Sequence, residues 1–513
     1  MNGADSLVRT LVHGGIDVCF SNPGTSEMHF VAALDKVDGM RCVLGLSEGV
    51  VTGAADGYGR MLERPASTLM HLGPGLANGL ANLHNARRAN TPIVNIVGDH
   101  ATYHKAHDAP LTSDVEGTAR PYSHWVRTST SARNVAQDAA DAVAAACQPK
   151  GRISTLILPA DCAWGAAQGP ATIPASPVRR PVRADRIERL KSVLLASERP
   201  MLLLNGTGLR ERALVAAGRI AQVTGATLFA PYESARVERG AGRVAVERLP
   251  FAIDVAISRL TPFTDMVLAG ARPPVAFFAY PGKPSTPVPT ECATHLLGEW
   301  GDDLCGALEL LADALDAPPN PQVQERTSVE VPTGRLSLDN IGRLFAALLP
   351  EHAIVIDESV SSGRAFFPLT RGSAPHDWLV NVGGSIGAGL PLAVGAAIAC
   401  PERKVVCLQG DGSAMYTAQA LWTMAHESLD ITTVIFANRS YAILKGELEN
   451  VGAADAGRKA LGMLELCDPE ISWIDIARGM GVSARRVTDL AALADAFVVG
   501  VSGQGPSLIE LWL

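Results

Sequence analysis

Short apolar runs of strand length alternate with segments of helical periodicity along most of this chain. The N-terminal third has this order in VCFSNPG, STLMHLGPGLANGLANLHNA and PIVNIVGDH. The C-terminal third repeats it in AIVIDES, KVVCLQGDGSAMYTAQALW and ITTVIFANRSYAI. Because a parallel strand needs a crossover, usually a helix, to reach its neighbour, the pattern predicts βα units and parallel sheets.

Two Pro-rich stretches, 168–183 and 315–334, divide the chain into three parts. Such stretches cannot continue a helix or a central strand, so they are typical of links between domains. We therefore predict an α/β protein with three doubly wound parallel-sheet domains. Their predicted boundaries are 1–167, 184–315 and 335–513. The middle domain opens with PMLLLNGTGLRERALVAAGRIA, a strand, glycine turn and helix of Rossmann-like pattern.

Composition narrows the class of protein. The net charge of -8 argues against non-specific nucleic-acid binding, which needs a basic surface. The nine cysteines include no CxxC pair, which is typical of reduced thiols. The N-terminus has no apolar core of signal-peptide length, and Pro391 with several glycines interrupts the most apolar run. We expect a cytoplasmic protein that does not span a membrane.

The stretch VVCLQGDGSAMYTAQ holds the clearest chemical signal. A predicted strand ends at Gly410, Asp411 and Gly412, and the next predicted strand ends at Asn438. Ligands of parallel sheets bind beyond the carboxyl ends of the strands, and glycines let a ligand approach the backbone. A helix starting near Ser413 would offer free N–H groups to a phosphate. One carboxylate, one amide oxygen and a carbonyl would suit Mg²⁺ that also binds a diphosphate.

The sequence GDG, followed by 25 residues and Asn438, resembles the cofactor motif of thiamine diphosphate (ThDP) enzymes. The resemblance covers the whole chain in order and is closest to the branch of acetolactate synthases and benzoylformate decarboxylases. It implies that the first domain binds the aminopyrimidine and the third the diphosphate, with a Rossmann-like domain between them. Arg439 stands where the family often has a second Asn, and we expect this substitution to be tolerated because the next ligand is a main-chain carbonyl.

The resemblance also implies a set of cofactor residues. Asp411, Asn438 and the carbonyl of Ser440 would bind Mg²⁺. In the segment NVGGSIGAGLP, Ile386 would support the cofactor in a V shape from below, although it could instead be ordinary core. The remaining predicted cofactor contacts are Ser361, Gly384, Gly410, Gly412, Ser413 and Tyr441.

Glu48 is the candidate acid of the first domain. Small and apolar residues flank it on both sides, so we expect it to face an interior, although a lone Glu is usually a surface residue. In the resembled family this Glu binds the pyrimidine ring nitrogen and assists activation of the cofactor. A carboxyl group in a low-dielectric environment suits that proton sharing. The resemblance further implies that Glu48 and Asp411 of one site come from different subunits, so we expect a homodimer at least and a homotetramer as the full assembly.

The substrate side is predicted from His71, Thr25 and Ser26. His71 precedes a Gly-Pro-Gly turn, where the decarboxylase branch has a histidine that acts on the substrate; a structural histidine is the alternative. Thr25 or Ser26 would hold the substrate carboxylate. The branch takes a second histidine from the middle domain, but PPVAFFAYPGKPS contains none, which counts against benzoylformate decarboxylase activity itself.

Three histidines, His100, His104 and His107, lie close together in GDHATYHKAHDAP. A zinc site would need converging ligands with orienting partners. A substrate-facing lid and a solvated loop are the alternatives, and the solvated loop is the simplest of the three.

The resemblance implies an enzyme that uses ThDP and Mg²⁺ to decarboxylate a 2-oxo acid, with or without ligation to a second carbonyl compound, as acetolactate synthases do. Cleavage of a preformed 2-hydroxy acyl compound is a variant of this chemistry. A benzoylformate-type decarboxylase without ligation and a catalytically silent regulatory or assembly homologue are alternatives. The presence of Glu48, Asp411 and Asn438 argues against the silent homologue. NGTGLRE lacks the GxGxxG of an NAD-dependent dehydrogenase, and we find no FAD fingerprint in the middle domain.

Overall fold

The computed structural model describes all 513 residues of the chain. Its eighteen strands form three sheets that are parallel apart from one edge strand. The first sheet contains β1 (Val18–Ser21), β2 (Arg41–Leu44), β3 (Ala66–Met70), β4 (Ile93–Asp99), β5 (Trp125–Thr128) and β6 (Ile153–Pro159). Its strand order is β2-β1-β3-β4-β6-β5. Every residue of β3, β4 and β6 is buried, as expected for strands covered by helices on both faces.

The middle segment supplies the second sheet. Its strands are β7 (Pro200–Leu204), β8 (Thr227–Ala230), β9 (Val237–Arg239), β10 (Glu247–Arg248), β11 (Asp265–Ala269) and β12 (Ala293–Gly298). Five of them form a parallel sheet in the order β10-β8-β7-β11-β12. The remaining strand, β9, joins the third sheet instead.

The third sheet has seven strands. It adds β13 (Ile354–Glu358), β14 (His376–Val380), β15 (Val405–Gly410), β16 (Ile431–Ala437), β17 (Ser483–Val487) and β18 (Ser507–Trp512). The order is β17-β18-β16-β15-β13-β14-β9. All pairs are parallel except β14 with β9, which is antiparallel. The three α/β sheets confirm the predicted fold class, but the sequence did not predict this edge strand from the middle segment.

Helices cover the three sheets and connect their strands. Both Pro-rich stretches lie outside the helices and strands. No helix combines the length and apolarity that crossing a bilayer requires. The helices of the first part are α1 (Gly3–His13), α2 (Met28–Lys36), α3 (Glu48–Leu62), α4 (Leu72–Ala89), α5 (Val115–Ala119), α6 (Val135–Ala146) and α7 (Ala160–Trp164). The middle part has α8 (Ala184–Ala196), α9 (Glu211–Thr224), α10 (Ile253–Leu260) and α11 (Leu304–Ala314). The last part has α12 (Leu338–Leu348), α13 (Phe366–Leu369), α14 (Gly389–Ala399), α15 (Asp411–Ala414), α16 (Ala420–His426), α17 (Ala442–Asn450), α18 (Arg458–Gly462), α19 (Trp473–Gly479) and α20 (Leu490–Ser502).

The side chains that hold β9 in the third sheet are mostly arginines. Arg236, just before β9, donates to Asp377 at 2.8 Å and to the carbonyl of Met61 at 2.8 Å. Arg239 is buried and donates to Thr370 at 2.7 Å. These bonds join the middle segment to both of its neighbours, and charge-assisted bonds of this kind are among the stronger ones in proteins.

Helices α3 and α14 join the first and last parts of the chain through glycines. A methyl group at Gly57 would lie 2.2 Å from the carbonyl oxygen of Leu392, and one at Gly395 would lie 1.9 Å from the carbonyl oxygen of Ala54. A side chain at either position would therefore push the two backbones apart. Glycine allows these helices to approach more closely than any other residue would, and this approach fixes α3, which begins with Glu48, against the C-terminal part of the same chain.

We expect Gly57→Ala to destabilise the protein by about 1–3 kcal/mol, because the added methyl group overpacks an interface of two backbones. The matched control is Gly446→Ala in α17, where a methyl group would meet nothing within 4 Å and alanine favours the helix. Thermal melting of both variants checks the prediction. A melting temperature for Gly57→Ala equal to that of Gly446→Ala would contradict it.

Candidate functional site

The carboxyl ends of β13, β15 and β16 lie side by side at one edge of the third sheet. Glu358 pairs with Gln409, and Gly410 pairs with Phe436 in parallel register. Asp411 therefore follows β15 next to the end of β16, and its Oδ2 accepts a hydrogen bond of 2.6 Å from the backbone N–H of Arg439. The structure thus brings Asp411 and Asn438 to the same edge of the sheet.

Asp411 is a buried carboxylate that forms no ion pair. Its side chain accepts only from two backbone N–H groups, those of Gly412 at 2.8 Å and Arg439. Burial raises the pKa of the Asp411 carboxyl, although the N–H groups of Arg439 and Gly412 oppose this rise. Burial of a carboxylate is costly unless a cation or several donors compensate its charge, so the site is suited to a bound cation.

The other predicted metal ligands are also placed to contribute oxygen atoms. The carbonyl of Ser440 accepts no hydrogen bond within the protein, while its hydroxyl donates to the carbonyl of Leu464 at 3.0 Å. The Oδ1 of Asn438 accepts from the backbone N–H of Ser440 at 3.0 Å. The structure contains no group of three His, Cys, Asp or Glu side chains that could hold a metal ion. A metal at this edge would therefore depend on amide and carbonyl oxygens beside Asp411, which fits Mg²⁺ with further ligands from a diphosphate and water.

Arg439 occupies the turn between these ligands with a left-handed backbone, φ 54°. Asn adopts this conformation more readily than Arg does, so the substitution stores a little backbone strain at the site. The guanidinium lies 4.2 Å from the ring centre of Trp512 and donates to the carbonyl of Leu513 at 2.9 Å. Its side chain is thereby held against the C-terminal strand.

The predicted diphosphate contacts surround this edge. Ser413 is buried; its hydroxyl accepts from Gln409 at 2.6 Å and donates to the carbonyl of Gly410 at 3.0 Å. Ser361 is half-buried in the turn that follows β13. A methyl group at Gly412 would lie 2.5 Å from the ring of Tyr441, so glycine is needed there for the tyrosine to pack against the turn.

Glu358 is a residue of this site that the sequence analysis did not select. It is 4% exposed, and its carboxylate accepts from the backbone N–H groups of Gly387, Ala388 and Gly389 at 2.9 to 3.2 Å. It also accepts from the side chains of Gln409 and Asn381, both at 2.8 Å. Burial raises the pKa of the Glu358 carboxyl, and the hydrogen bonds from Gln409, Gly389, Asn381 and Ala388 oppose this rise. This network fixes the loop 381–389.

Ile386 lies in that fixed loop. It is half-buried and belongs to none of the hydrophobic cores, so it is not an ordinary core residue. Gly384 is exposed, with φ 78°. Asn85 of α4 holds the loop from the other side, donating to the carbonyl of Ser385 at 2.8 Å and accepting from its N–H at 3.2 Å. The first part of the chain therefore braces the loop that carries Ile386.

Glu48 is the first residue of α3 and is 7% exposed, in agreement with the expectation that it faces an interior. Its Oε2 accepts from the amide of Asn78 at 3.1 Å, and this is the only hydrogen bond of its side chain within the protein. A methyl group at Gly75 would lie 2.8 Å from Oε1. Glu48 therefore keeps a carboxylate oxygen free for a further partner.

His71 pairs with Glu27, a second residue that the sequence analysis missed. Nδ1 of His71 lies 2.8 Å from Oε2 of Glu27, which also accepts from the backbone N–H of Gly24 at 2.8 Å. Glu27 is 3% exposed, and its Oε1 is buried without a partner. Burial raises the pKa of the Glu27 carboxyl, and the bond to His71 opposes this rise. When Glu27 is ionised, its carboxylate can only accept, so the contact then places the proton of neutral His71 on Nδ1 and leaves Nε2 without a partner in the protein.

Thr25 and Ser26 lie in the same one-turn 3₁₀ helix as Glu27. Thr25 is exposed and Ser26 is half-buried. Both hydroxyls thus belong to the short segment whose third polar residue, Glu27, contacts His71. An acid three residues after the glycine of a strand-end turn was the signal for Glu27 in the sequence.

The histidines at 100, 104 and 107 form a row rather than a metal site. The ring centres of His100 and His104, and of His104 and His107, are each 5.6 Å apart. His104 and His107 are exposed, and the three histidines do not form a group that could hold a metal ion. The zinc alternative is wrong because the three side chains follow one another along one loop, with tilted rings, instead of converging on a point.

Two known protein families match separate parts of this chain. Residues 1–118 match the family described as thiamine pyrophosphate enzyme, N-terminal TPP binding domain. Residues 362–511 match thiamine pyrophosphate enzyme, C-terminal TPP binding domain.

Relatives cover the whole chain. A Mycobacterium tuberculosis protein, IlvX, provisionally named as an acetolactate synthase large subunit, is 50% identical over 100% of this chain and 99% of its own length. A benzoylformate decarboxylase of Pseudomonas aeruginosa is 28% identical over 97% of this chain and 96% of its own. Among solved structures, the ThDP-dependent 4-hydroxybenzoylformate decarboxylase of Rhodococcus jostii RHA1 superposes with a TM-score of 0.86, covering 99% of this chain and 98% of its own at 24% identity. This last similarity concerns the fold.

We expect Glu27→Gln to redistribute the proton of His71 between its two ring nitrogens, because the variant loses the charge that favours Nδ1–H. NMR of protein labelled with ¹⁵N-histidine checks this, with the His71 signals assigned from His71→Gln. The control Glu351→Gln changes an exposed glutamate that contacts His352. Identical His71 signals in the wild type and Glu27→Gln would contradict the prediction.

Proposed function

Because this chain belongs to the ThDP-dependent enzymes that include 2-oxo acid decarboxylases and synthases, we propose that it decarboxylates a 2-oxo acid with ThDP and Mg²⁺. The acyl unit that remains either takes up a proton and leaves as an aldehyde or is transferred to a second carbonyl compound. The observation that carries the proposal is the buried Asp411 without an ion pair, at the joined ends of two parallel strands.

Several groups of the C-terminal part would hold the metal and the diphosphate of the cofactor. Asp411, Asn438 and the carbonyl of Ser440 would hold Mg²⁺, and the metal would hold the diphosphate. Ser361 and Ser413 lie around the same edge and would contact the diphosphate. ThDP, when bound, supplies the nucleophilic carbon and the electron sink for loss of CO₂.

Three residues would orient the organic part of the cofactor, and one of them would move its protons. Ile386 would support the two rings from below, because its loop is fixed by Glu358 and Asn85. Gly384 would let the pyrimidine approach the backbone. Glu48 would share a proton with a pyrimidine nitrogen through the oxygen that has no partner within the protein.

On the substrate side, His71 would hold or move a proton at Nε2, the nitrogen that Glu27 leaves free. Thr25 or Ser26 would hold the substrate carboxylate. The middle-domain loop 272–290 contains no histidine, so His71 is the candidate proton carrier on this side.

The proposed active assembly is a homodimer at least, and a homotetramer in full, with each site built from Glu48 of one subunit and Asp411 of the other. Exposed apolar side chains support an interface near both residues. Leu44 and Leu46 are exposed just before Glu48, and Met415 and Tyr416 are exposed just after Asp411. Burial of such groups between subunits would favour association.

Two relatives suggest different fates for the product. IlvX favours ligation, as in acetolactate synthesis, and the Pseudomonas aeruginosa enzyme favours simple decarboxylation. A catalytically silent homologue is the remaining alternative, and the presence of Glu48, Asp411 and Asn438 counts against it.

A panel of 2-oxo acids, incubated with the protein, ThDP and Mg²⁺, tests the proposal by CO₂ release and product analysis. We expect CO₂ from at least one acid. Acetolactate from pyruvate would favour the ligase, and aldehyde alone would favour the decarboxylase. Cofactor binding without CO₂ from any acid would overturn the enzymatic proposal in favour of the silent homologue.

We expect Glu48→Gln to bind ThDP nearly as tightly as the wild type but to lower turnover by about 10²–10⁴-fold, the usual contribution of a positioned acid or base. Calorimetry measures binding, CO₂ release measures turnover, and NMR measures hydrogen–deuterium exchange at the reactive carbon of the cofactor, which should slow with turnover. Glu351→Gln is the control, because Glu351 is exposed. Unchanged exchange and turnover in Glu48→Gln would remove this residue from the site.

A further inference from the structure

The middle-domain loop 272–290 lies between β11 and β12 and is braced at its base. The N–H of Ala276 donates to the carbonyl of Ser285 at 2.8 Å, and the hydroxyl of Thr286 donates to the carbonyl of Pro274 at 3.2 Å. Lys283 forms an ion pair with Asp254 of α10. These contacts hold the tip of the loop, which carries Phe277, Phe278 and Tyr280, in a defined place.

The tip of this loop reaches the candidate site in the C-terminal part. A methyl group at Gly384 would lie 2.7 Å from Cζ of Phe277, so the ring packs directly on the loop that carries Ile386. The hydroxyl of Tyr280 lies 3.3 Å from Oε1 of Glu447 in α17, the helix that follows the predicted metal ligands. The loop therefore spans the two segments that border the site.

Four aromatic rings form a continuous row toward this tip. The ring centres of Tyr232 and Phe251 are 5.2 Å apart, those of Phe251 and Phe277 are 5.1 Å apart, and those of Phe277 and Phe278 are 4.9 Å apart. The row reaches Gly384 through Phe277, which is 38% exposed, and ends at Phe278, which is 54% exposed. A phenylalanine that stays exposed at the end of a packed row is available for contact with an apolar ligand group.

We propose that Phe277 and Phe278, which we call the aromatic wall, line the substrate pocket and favour 2-oxo acids with an aryl or other large apolar side chain over pyruvate. This inference rests on the proposed function, because it takes loop 381–389 as the place of the cofactor. The chemistry of the wall supports it. Two phenyl rings can neither move a proton nor bind a carboxylate, so their contribution to the site is apolar contact and exclusion of water.

The size of the substrate follows from the same contact. Phe277 already packs on Gly384, beside the loop proposed to border the cofactor, so a substrate bound there would lie close to the wall. The methyl group of pyruvate offers one carbon for contact, whereas an aryl group can stack on a phenyl ring in an offset or edge-to-face arrangement. The wall thus discriminates by side-chain size.

The test compares benzoylformate and phenylpyruvate with pyruvate in the holoenzyme and in Phe278→Ala. We expect the wild type to prefer the aromatic acids and the variant to lose about 10- to 100-fold in kcat/KM for them, with little change for pyruvate. Phe278→Tyr keeps the ring and should retain the preference. Val275→Ala is the matched control, because Val275 is exposed on the same loop but lies outside the aromatic row.

A binding measurement makes the test independent of turnover. Phosphonate analogues of benzoylformate and pyruvate cannot lose CO₂, and calorimetry gives their dissociation constants in the cofactor-loaded protein. We expect Phe278→Ala to raise the dissociation constant of the aromatic analogue and to leave that of the pyruvate analogue unchanged. If Phe278→Ala binds the aromatic analogue more weakly but the wild type releases CO₂ from none of the acids, the result would support the aromatic wall and count against the proposed function.

Three results would overturn the aromatic wall while leaving the proposed function intact. The first is a wild-type preference for pyruvate over both aromatic acids. The second is an equal effect of Phe278→Ala on the two analogues, or no effect on either. The third is dissociation of the oligomer in Phe278→Ala at unchanged analogue affinity, which would show that the exposed rings contact a second copy of the chain instead.

Discussion

The site depends on one electrostatic constraint, the burial of the Asp411 carboxylate without a side-chain cation. Two backbone N–H groups are its only donors, and burial still raises the pKa of this carboxyl. A carboxylate in this position is stabilised when a divalent cation binds, and the cation in turn needs further oxygen ligands. The parallel register of β15 and β16 supplies them, since it places Asn438 and Ser440 at the same edge. The fold of the third sheet thus determines where the proposed metal and diphosphate would bind.

The remainder of the structure holds the other predicted cofactor residues of the chain in place. Glu358 accepts five hydrogen bonds and fixes loop 381–389. Asn85 binds the same loop from α4, and the close approach at Gly57 and Gly395 packs the helix that begins with Glu48 against the C-terminal part. Each of these contacts links residues far apart in sequence. The precision of the site therefore comes from contacts between parts of the chain, with the loops held from both sides.

The sequence predicts this edge well because its signals are local. The chain shows an apolar run of strand length, then a Gly-Asp-Gly turn, then a second strand that ends in Asn. In a parallel sheet, these features are enough to place Asp411 beside Asn438. The burial of Glu48 was likewise predictable from its small and apolar neighbours. By contrast, Glu27 pairs with His71 across 44 residues, and Glu358 looks like an ordinary strand end in AIVIDES. The antiparallel β9 depends on arginine contacts with other parts of the chain, and no local pattern predicts such contacts.

Isothermal titration of ThDP into the purified, cofactor-free protein tests the central claim most directly. We expect ThDP to bind tightly when Mg²⁺ is present and weakly or not at all when a chelator removes the metal. In Asp411→Asn, the increase in ThDP affinity caused by Mg²⁺ should be lost, because the amide has nearly the size of the carboxylate but no charge. Equal ThDP affinity with and without Mg²⁺, or an Asp411→Asn variant that binds as the wild type does, would contradict it.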